Sequence, residues 1–258
     1  MSQSQIYVYC IINSTDEINE NVGGQRIYSI PWHQQAAVVT DVEKPAGVNV
    51  HIKESAFTHE KVVELLMDRF TVLPMRLLTL VADREHVVTL LQEHYADFRD
   101  NFARLVQKAE FGLKVLWPAE QIKERLSGNC NNNAETDISP AKLFMKQKYA
   151  AYQAEKAFRE EAGKYIAVID KFFSGIAVEK KLQTLPTEKL LLNAAYLVDK
   201  SKHHEVKPAF ERLRGALSDL EFQFSGPWPP YNFIIMGNKK TTDVDSGMSN
   251  IIDKILKD

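Results

Sequence analysis

The sequence has few of the features that cross-link a protein or place it in a membrane. Only two cysteines occur among 258 residues, Cys10 in an apolar run and Cys130 in an Asn-rich segment. Two such cysteines make neither a disulfide framework nor a zinc site, and they suit a reducing cytosol. No uninterrupted apolar run approaches the roughly 18–20 residues of a membrane span. The N-terminal residues also lack the basic start and apolar core of a signal peptide. We therefore expect a cytoplasmic protein.

The chain also has no large excess of positive or negative charge. The chain has 32 Lys and Arg residues against 34 Asp and Glu, which gives a formal net charge of −2. A near-neutral chain has no field that would collect nucleic acid or an anionic membrane, so neither is an expected partner. The hydrophobic share of 45% is that of an ordinary globular protein, and the length fits one large domain or two of modest size.

Motifs that carry chemistry are scarce. The histidines have no cysteine or acidic partner at ligand spacing, and the adjacent His203 and His204 would point about 100° apart on a helix. Gly23 and Gly24 follow no strong strand and precede no helix, so they fail the structural test for a phosphate-binding loop. The chain has no Gly-x-Ser-x-Gly elbow. We predict no catalytic residue, metal site, cofactor site or small-molecule substrate, and hence a protein that is not an enzyme.

The second half of the chain shows the clearest order of elements. A strand over 111–117 is followed by Ser139 and Pro140, a cap and a proline in the order typical of a helix start. The helix is predicted to run to about Phe173, because apolar residues recur along it at helical spacing. A hairpin, a second helix and a final strand complete the order βαββαβ. This order predicts a ferredoxin-like domain with one long helix.

The first half is predicted as three strands, a helix, a strand with Pro74 at its entrance, and a longer helix capped by Asp83. The predicted bounds are 6–12, 27–30 and 36–40 for the three strands, 58–70 for the helix, 71–81 for the fourth strand and 83–105 for the longer helix. This is a modified version of the same sheet-and-helix design. We therefore predict an α+β fold of two domains, 1–108 and 109–235, with the long helix at about 140–173 and a tail at 236–258.

One segment with an unusual composition lies in the fourth predicted strand. Arg76 follows Leu73 and Pro74 in an otherwise apolar stretch. A charge in such a strand must be paired, or must project to solvent or to a partner. An edge strand with one solvent-facing arginine explains it at least as well as a binding role.

The other unusual segment lies near the end of the second predicted domain. Trp228, Pro229, Pro230 and Tyr231 follow a glycine and a further proline. Such a segment is already stiff when unfolded, so it loses little entropy on ordering. Aromatic side chains on a rigid arm suit a contact surface. A lid over the domain's own core is the stronger interpretation of the same residues.

Four stretches along the chain carry a family resemblance. They are Tyr7-Val-Tyr-Cys-Ile-Ile, Val72-Leu-Pro-Met-Arg-Leu-Leu-Thr, Ala195-Tyr-Leu-Val and Ser225-Gly-Pro-Trp-Pro-Pro-Tyr-Asn-Phe. In order and separation they resemble the gas vesicle protein F and L family over about residues 5–235, and the last motif is the most specific. The family often has a glycine just before the threonine of the second stretch, where this chain has Leu78.

The resemblance implies a minor structural or assembly protein of gas vesicles, located in the cytoplasm and at the vesicle. The implied partners are the small hydrophobic shell protein and other gas vesicle accessory proteins. The implied fold is two α+β domains, the second of them ferredoxin-like. We expect the first domain to contact the shell protein through an exposed sheet edge or apolar groove, with strand addition as one available mode. The candidate partner-binding residues are Leu73, Pro74, Arg76, Trp228, Pro229, Pro230 and Tyr231.

Two other functions stay open at this point. Ferredoxin-like domains host many unrelated activities, so a ligand-binding or enzymatic α+β protein is the main alternative. A deep pocket lined by polar groups with shifted pKa values would favour it. A coiled-coil oligomerisation factor built on the long helix is a third possibility, although Gln147 and Glu161 occupy seam positions that a coiled coil fills with apolar residues.

Overall fold

The computed structural model describes residues 4–43, 52–128, 140–185 and 187–237. Within these ranges the chain forms two compact units. Unit 1 holds the described residues up to Glu110 together with those from Pro227 onward, and unit 2 is Phe111–Gly226. The predicted second domain extended to residue 235, whereas the structure places 227–237 with unit 1. The predicted loop around Cys130 and the tail beyond residue 237 lie outside the described residues.

The described residues of unit 1 form one antiparallel sheet and three α-helices. Its strands are β1 (Ser4–Ile12), β2 (Asn19–Val22), β3 (Gln25–Trp32), β4 (Gln35–Glu43), β5 (Val72–Pro74) and β6 (Leu80–Val81). Its helices are α1 (Ile52–Met67), α2 (Arg84–Glu93) and α3 (Tyr95–Leu105). The strand order is β2-β3-β4-β1-β5, and β6 pairs with β1 beside β5. From Ile6 onward β1 is buried on both faces, as its continuous apolar run predicts.

The first hairpin corrects two expectations for unit 1. Strand β2 was not predicted, and it pairs with β3 through a two-residue turn in which Gly23 and Gly24 have φ of +59° and +82°. Such a turn needs residues that accept positive φ at both positions, which explains the glycine pair. Strand β3 also continues past its predicted end at residue 30 and includes Pro31. The missing N–H of Pro31 is tolerated there because β2 reaches only as far as Tyr28, so Pro31 faces no strand on the β2 side.

The helices of unit 1 also differ from their predicted bounds. Helix α1 begins at Ile52, six residues before the predicted start at Thr58. The single long helix expected after Asp83 is two helices, separated at His94, whose φ and ψ are −109° and 13°. The predicted cap itself is confirmed: the backbone N–H of His86 donates to Oδ1 of Asp83 at 3.0 Å.

Unit 2 has the strand order of a ferredoxin-like sheet. Its strands are β7 (Lys108–Leu116), β8 (Ala177–Thr184), β9 (Leu190–Asp199) and β10 (Glu221–Trp228). Its helices are α4 (Ala119–Gly128), α5 (Pro140–Phe173) and α6 (His203–Ala216). The order β10-β7-β9-β8 is that of the predicted βαββαβ pattern, so the α+β fold is confirmed. Helix α4 was not predicted.

Helix α5 has the predicted length but only half of it packs on the unit. Phe158, Ile169 and Phe173 are buried in the core of unit 2, where the Phe173 ring stacks on Tyr196 with 4.6 Å between centroids. Every described side chain from 141 to 152 is exposed. Residues 141–152 of α5 are therefore not covered by any described part of unit 2.

Candidate functional site

The candidate site of unit 1 is the turn between β5 and β6, residues 75–79. The sequence predicted one strand over 71–81 with Pro74 at its entrance, and this was wrong: Pro74 is the last residue of the short strand β5. The chain turns because the Arg76 carbonyl accepts hydrogen bonds from the backbone N–H of Thr79 at 3.1 Å and from its hydroxyl at 2.7 Å. Arg76 is thus an exposed turn residue, which accounts for its charge.

The 75–79 turn is held against β1 at both ends. The N–H of Met75 donates to the Tyr9 carbonyl at 2.9 Å, and the N–H of Val8 donates to the Thr79 carbonyl at the same distance. The register of β1 shifts between Val8 and Cys10, at the level where the turn leaves the sheet. The turn is therefore a fixed projection and not a loose loop.

A buried polar cluster lies beneath the 75–79 turn. The N–H of Leu78 donates to the hydroxyl of Tyr7 at 3.2 Å, and that hydroxyl lies 2.8 Å from Nδ1 of His59. His59 comes from α1 and is 3% exposed. The Tyr7 hydroxyl can donate its proton to Nδ1 while it accepts from Leu78, and in that tautomer His59 carries its own proton on Nε2. Nε2 has no hydrogen bond of ordinary geometry among the described residues.

Burial shifts the pKa values of this cluster. It raises the pKa of Tyr7 to about 12 and lowers the pKa of His59 to about 4, with the carbonyl of Met75 offsetting part of the second effect. The Tyr9 hydroxyl donates to Oε1 of Gln25 at 2.8 Å, and burial also raises its pKa. At neutral pH all these groups are uncharged. The cluster positions the turn and carries no charge of its own.

Leu78 adopts a conformation that its side chain disfavours. Its φ is +64°, in the left-handed region, which costs a non-glycine residue about 1–2 kcal/mol. The side chains of Arg76 and Leu80, which are near Leu78 in sequence, are exposed as well. Strain of this kind persists only where surrounding contacts fix the backbone. The turn therefore holds an apolar side chain at the surface at an energetic cost.

The other predicted residues of this segment lie inside the unit. Leu73 and Pro74 are buried on β5, which packs against α1 and α3. Strand β5 has three residues, so it offers little edge for strand addition. Of the three candidate residues in this segment, only Arg76 is placed where a partner could reach it.

The second predicted segment belongs to a C-terminal strap, residues 228–237, that packs on unit 1. Pro229 and Pro230 are buried, whereas Trp228 and Tyr231 are partly exposed. The Tyr231 ring lies 6.4 Å from the ring of His59, and burial raises the pKa of its hydroxyl. The segment is therefore a lid, as in the stronger interpretation of the sequence, but it covers the core of unit 1 and not that of the predicted second domain.

Side chains of α3 and the end of β7 hold the strap in place. Asn101, which is buried, donates to the Ile235 carbonyl at 2.6 Å and accepts from its N–H at 2.9 Å. Arg104 donates to the carbonyl of Phe233. Both the backbone and the side chain of Asn232 donate to the buried carboxylate of Glu110. Both segments that the sequence singled out thus lie in unit 1.

Sequence reasoning missed His59, although a signal was present. His59 precedes Val62, Val63 and Leu66 by three, four and seven positions, and therefore lies on their buried helical face. Tyr7 lies on the face of β1 that packs against α1. A histidine on the apolar face of a helix, opposite a tyrosine-bearing strand, indicates a buried polar contact.

Unit 2 contains a groove of about 730 Å³, lined by the middle of α5, by α4 and by the β8–β9 connection. Its charged side chains pair with one another: Lys123 lies 2.8 Å from Glu188, and Arg159 lies 2.8 Å from Glu155. Within the groove, the hydrogen bond and charge of Lys123 lower the pKa of Glu188, as expected for an exposed ion pair. Over the described residues no cluster of metal-ligating side chains occurs, and none of the helices there is long and apolar enough to cross a membrane.

Comparison with known proteins gives one consistent match. The profile of the family described as gas vesicle synthesis protein GvpL/GvpF matches residues 5–234. The chain is 23% identical to gas vesicle protein F2 of Halobacterium salinarum, covering 91% of this chain and 94% of that one. It is 22% identical to gas vesicle protein L1 of the same organism, covering 88% and 89%. The solved structure of GvpF from Anabaena sp. PCC7120 superposes with a TM-score of 0.75 at 21% identity, covering 91% of this chain and all of that one.

Proposed function

The chain belongs to the GvpL/GvpF family of gas vesicle synthesis proteins, and from that membership we propose that it assists gas vesicle assembly by binding other vesicle proteins. Its principal partner is the hydrophobic shell protein, and it acts by contact without catalysing a reaction. It works in the cytoplasm at the growing vesicle, together with other accessory proteins of the vesicle.

The observation that carries this proposal is the fixed, strained turn at 75–79. A shell subunit must hide its apolar surface until it joins the wall, so an accessory protein needs a rigid apolar surface of its own. Leu78 and Leu80 supply exposed apolar area, and Arg76 supplies an exposed positive charge in the same turn region. The hydrogen bond from the Leu78 N–H to the Tyr7 hydroxyl fixes the conformation of the turn before a partner binds, which lowers the entropy lost on binding.

A capture experiment with purified shell protein tests the proposal. The double variant Arg76→Glu with Leu80→Ser changes two exposed side chains of this surface and leaves the buried strand β5 intact. We expect it to lose about tenfold or more of shell-protein capture, the effect of losing a central anchor. The matched control is Arg84→Glu with Leu65→Ser, two exposed residues of the same types in unit 1. The control should capture the shell protein as the native chain does.

Equal capture by the native chain and by both double variants would refute the role of the turn. Deletion of residues 238–258 then tests the C-terminal tail as the contact. A host strain that lacks the protein and still floats with normal gas-filled compartments would refute the assembly function itself.

A further inference from the structure

Unit 2 presents an apolar surface that its own core does not use. Helix α5 has 34 residues, and over residues 141–152 every side chain is exposed. Five large apolar side chains lie in this stretch, each between 47% and 68% exposed. They are Leu143, Phe144, Met145, Tyr149 and Tyr152. Single exposed apolar residues are ordinary, but five within ten positions, three of them on one side of the helix, indicate an interaction surface.

This exposed segment of α5 is also positively charged. Residues 140–154 contain Lys142, Lys146 and Lys148 and no Asp or Glu. The ammonium of Lys148 lies 5.5 Å from the centroid of the Phe144 ring. Across the described residues, none of the three lysines forms an ion pair within unit 2. The segment therefore combines apolar area with unneutralised positive charge.

The acidic residues farther along α5 are already engaged. Glu155 pairs with Arg159 at 2.8 Å. Glu161 pairs with Arg125 at 2.9 Å and with Lys164 at the same distance. These acids already have partners of opposite charge, so pairing them with the lysines of a second copy of the chain would gain little. A symmetric pairing of two α5 segments would also bring like charges together, which disfavours self-association.

The exposed apolar side chains include a row on one side of α5. Met145, Tyr149 and Tyr152 follow one another at steps of four and three positions and therefore share one side of the helix. Lys148 lies on one flank of this apolar row, and Lys142 and Lys146 lie on the other. An apolar row flanked by positive charge fits the binding of an amphipathic helix.

We propose that this α5 surface docks an amphipathic helix of another protein, one whose apolar face is flanked by acidic side chains. The apolar row of α5 packs against the apolar face of the helix, and the three lysines meet its acids. A membrane surface fits less well, because Leu143 and Met145 are two positions apart and project from nearly opposite sides of α5. A helix that lies on a membrane collects its apolar residues on one side. The surface belongs to unit 2 and does not depend on the turn of unit 1.

Photo-crosslinking in gas-vesicle-producing cells tests this inference. The full chain carries Tyr149→p-benzoylphenylalanine, and the crosslinked peptides are identified by mass spectrometry. We expect an adduct with a different polypeptide, at a segment with apolar residues at helical spacing and an excess of Asp and Glu. Reversal of the three lysines to Glu should lower the adduct yield about tenfold or more, since charge pairs at an interface contribute strongly to affinity.

The matched control reverses three other exposed lysines of unit 2. They are Lys181, Lys189 and Lys207, and the reversed chain should give the native yield. Arg76→Glu should also leave the yield unchanged, so that failure of this surface and failure of the turn in unit 1 are distinguishable. An adduct with a second copy, with residues of the same chain or with phospholipid would overturn the inference. So would the absence of an adduct, or equal losses from both lysine reversals.

Discussion

Acid should destabilise unit 1 through the buried imidazole of His59. Burial lowers its pKa from an ordinary 6.5 to about 4 in the folded chain. Between these values the unfolded chain binds a proton that the folded chain does not, so the free energy of unfolding falls as the pH falls. From these two pKa values, proton linkage lowers the free energy of unfolding by about 2 kcal/mol at pH 5 and about 3 kcal/mol at pH 4, relative to pH 7. Below the folded pKa the loss levels off.

The assay compares urea unfolding of the native chain and of His59→Gln at pH 7, 5 and 4. A Trp117→Phe background leaves Trp32 and Trp228, both in unit 1, as the fluorescent reporters. Glutamine keeps a polar group opposite Tyr7 but does not titrate, so the variant should escape the histidine part of the acid loss. The difference between the two chains cancels the carboxylates that titrate in the same range.

A surface histidine provides the control of opposite sign. His86 is exposed and hydrogen-bonded to Asp83, which raises its pKa. Its contribution to stability is present below its unfolded pKa and disappears as the pH rises through the folded value, so His86→Gln should not reduce acid sensitivity. If the native chain and His59→Gln lose stability in parallel from pH 7 to pH 4, the imidazole is not buried and neutral, and the account of the cluster is wrong.

Two further substitutions test the turn and the strap. Leu78→Gly removes a side chain from a left-handed position and should raise the free energy of unfolding of unit 1 by about 0.5–1 kcal/mol. This is the backbone strain that is relieved, reduced by the extra conformational entropy of glycine in the unfolded chain. A lower urea midpoint would show that the leucine is not strained. Asn101→Ala removes both hydrogen bonds to Ile235 and should cost about 1–3 kcal/mol, while limited proteolysis should cut the strap first; unchanged proteolysis would show that Asn101 does not hold it.

Local patterning in the sequence predicted most of unit 2. Its strands alternate or run apolar between clear breaks, and α5 repeats its apolar residues at helical spacing, so the order βαββαβ followed from neighbours in the chain. Unit 1 was predicted less well because its elements depend on distant residues. The strand predicted over 71–81 breaks into β5 and β6 where Arg76 and Thr79 bond to each other and Met75 bonds to β1, and an apolar sequence shows none of these bonds.

The candidate site divides in the same way. The sequence by itself determined that Arg76 is an unusual charge, that the Trp228 segment is stiff, and that the second half folds as a ferredoxin-like sheet, because these properties belong to residue types and short-range spacing. Only the tertiary structure decided which side chains reach the surface. It buries Leu73 beneath α1 and α3, exposes Leu78 with a positive φ, and brings His59 from another element under the turn. Burial depends on residues far apart in the chain, and no local pattern contains that information.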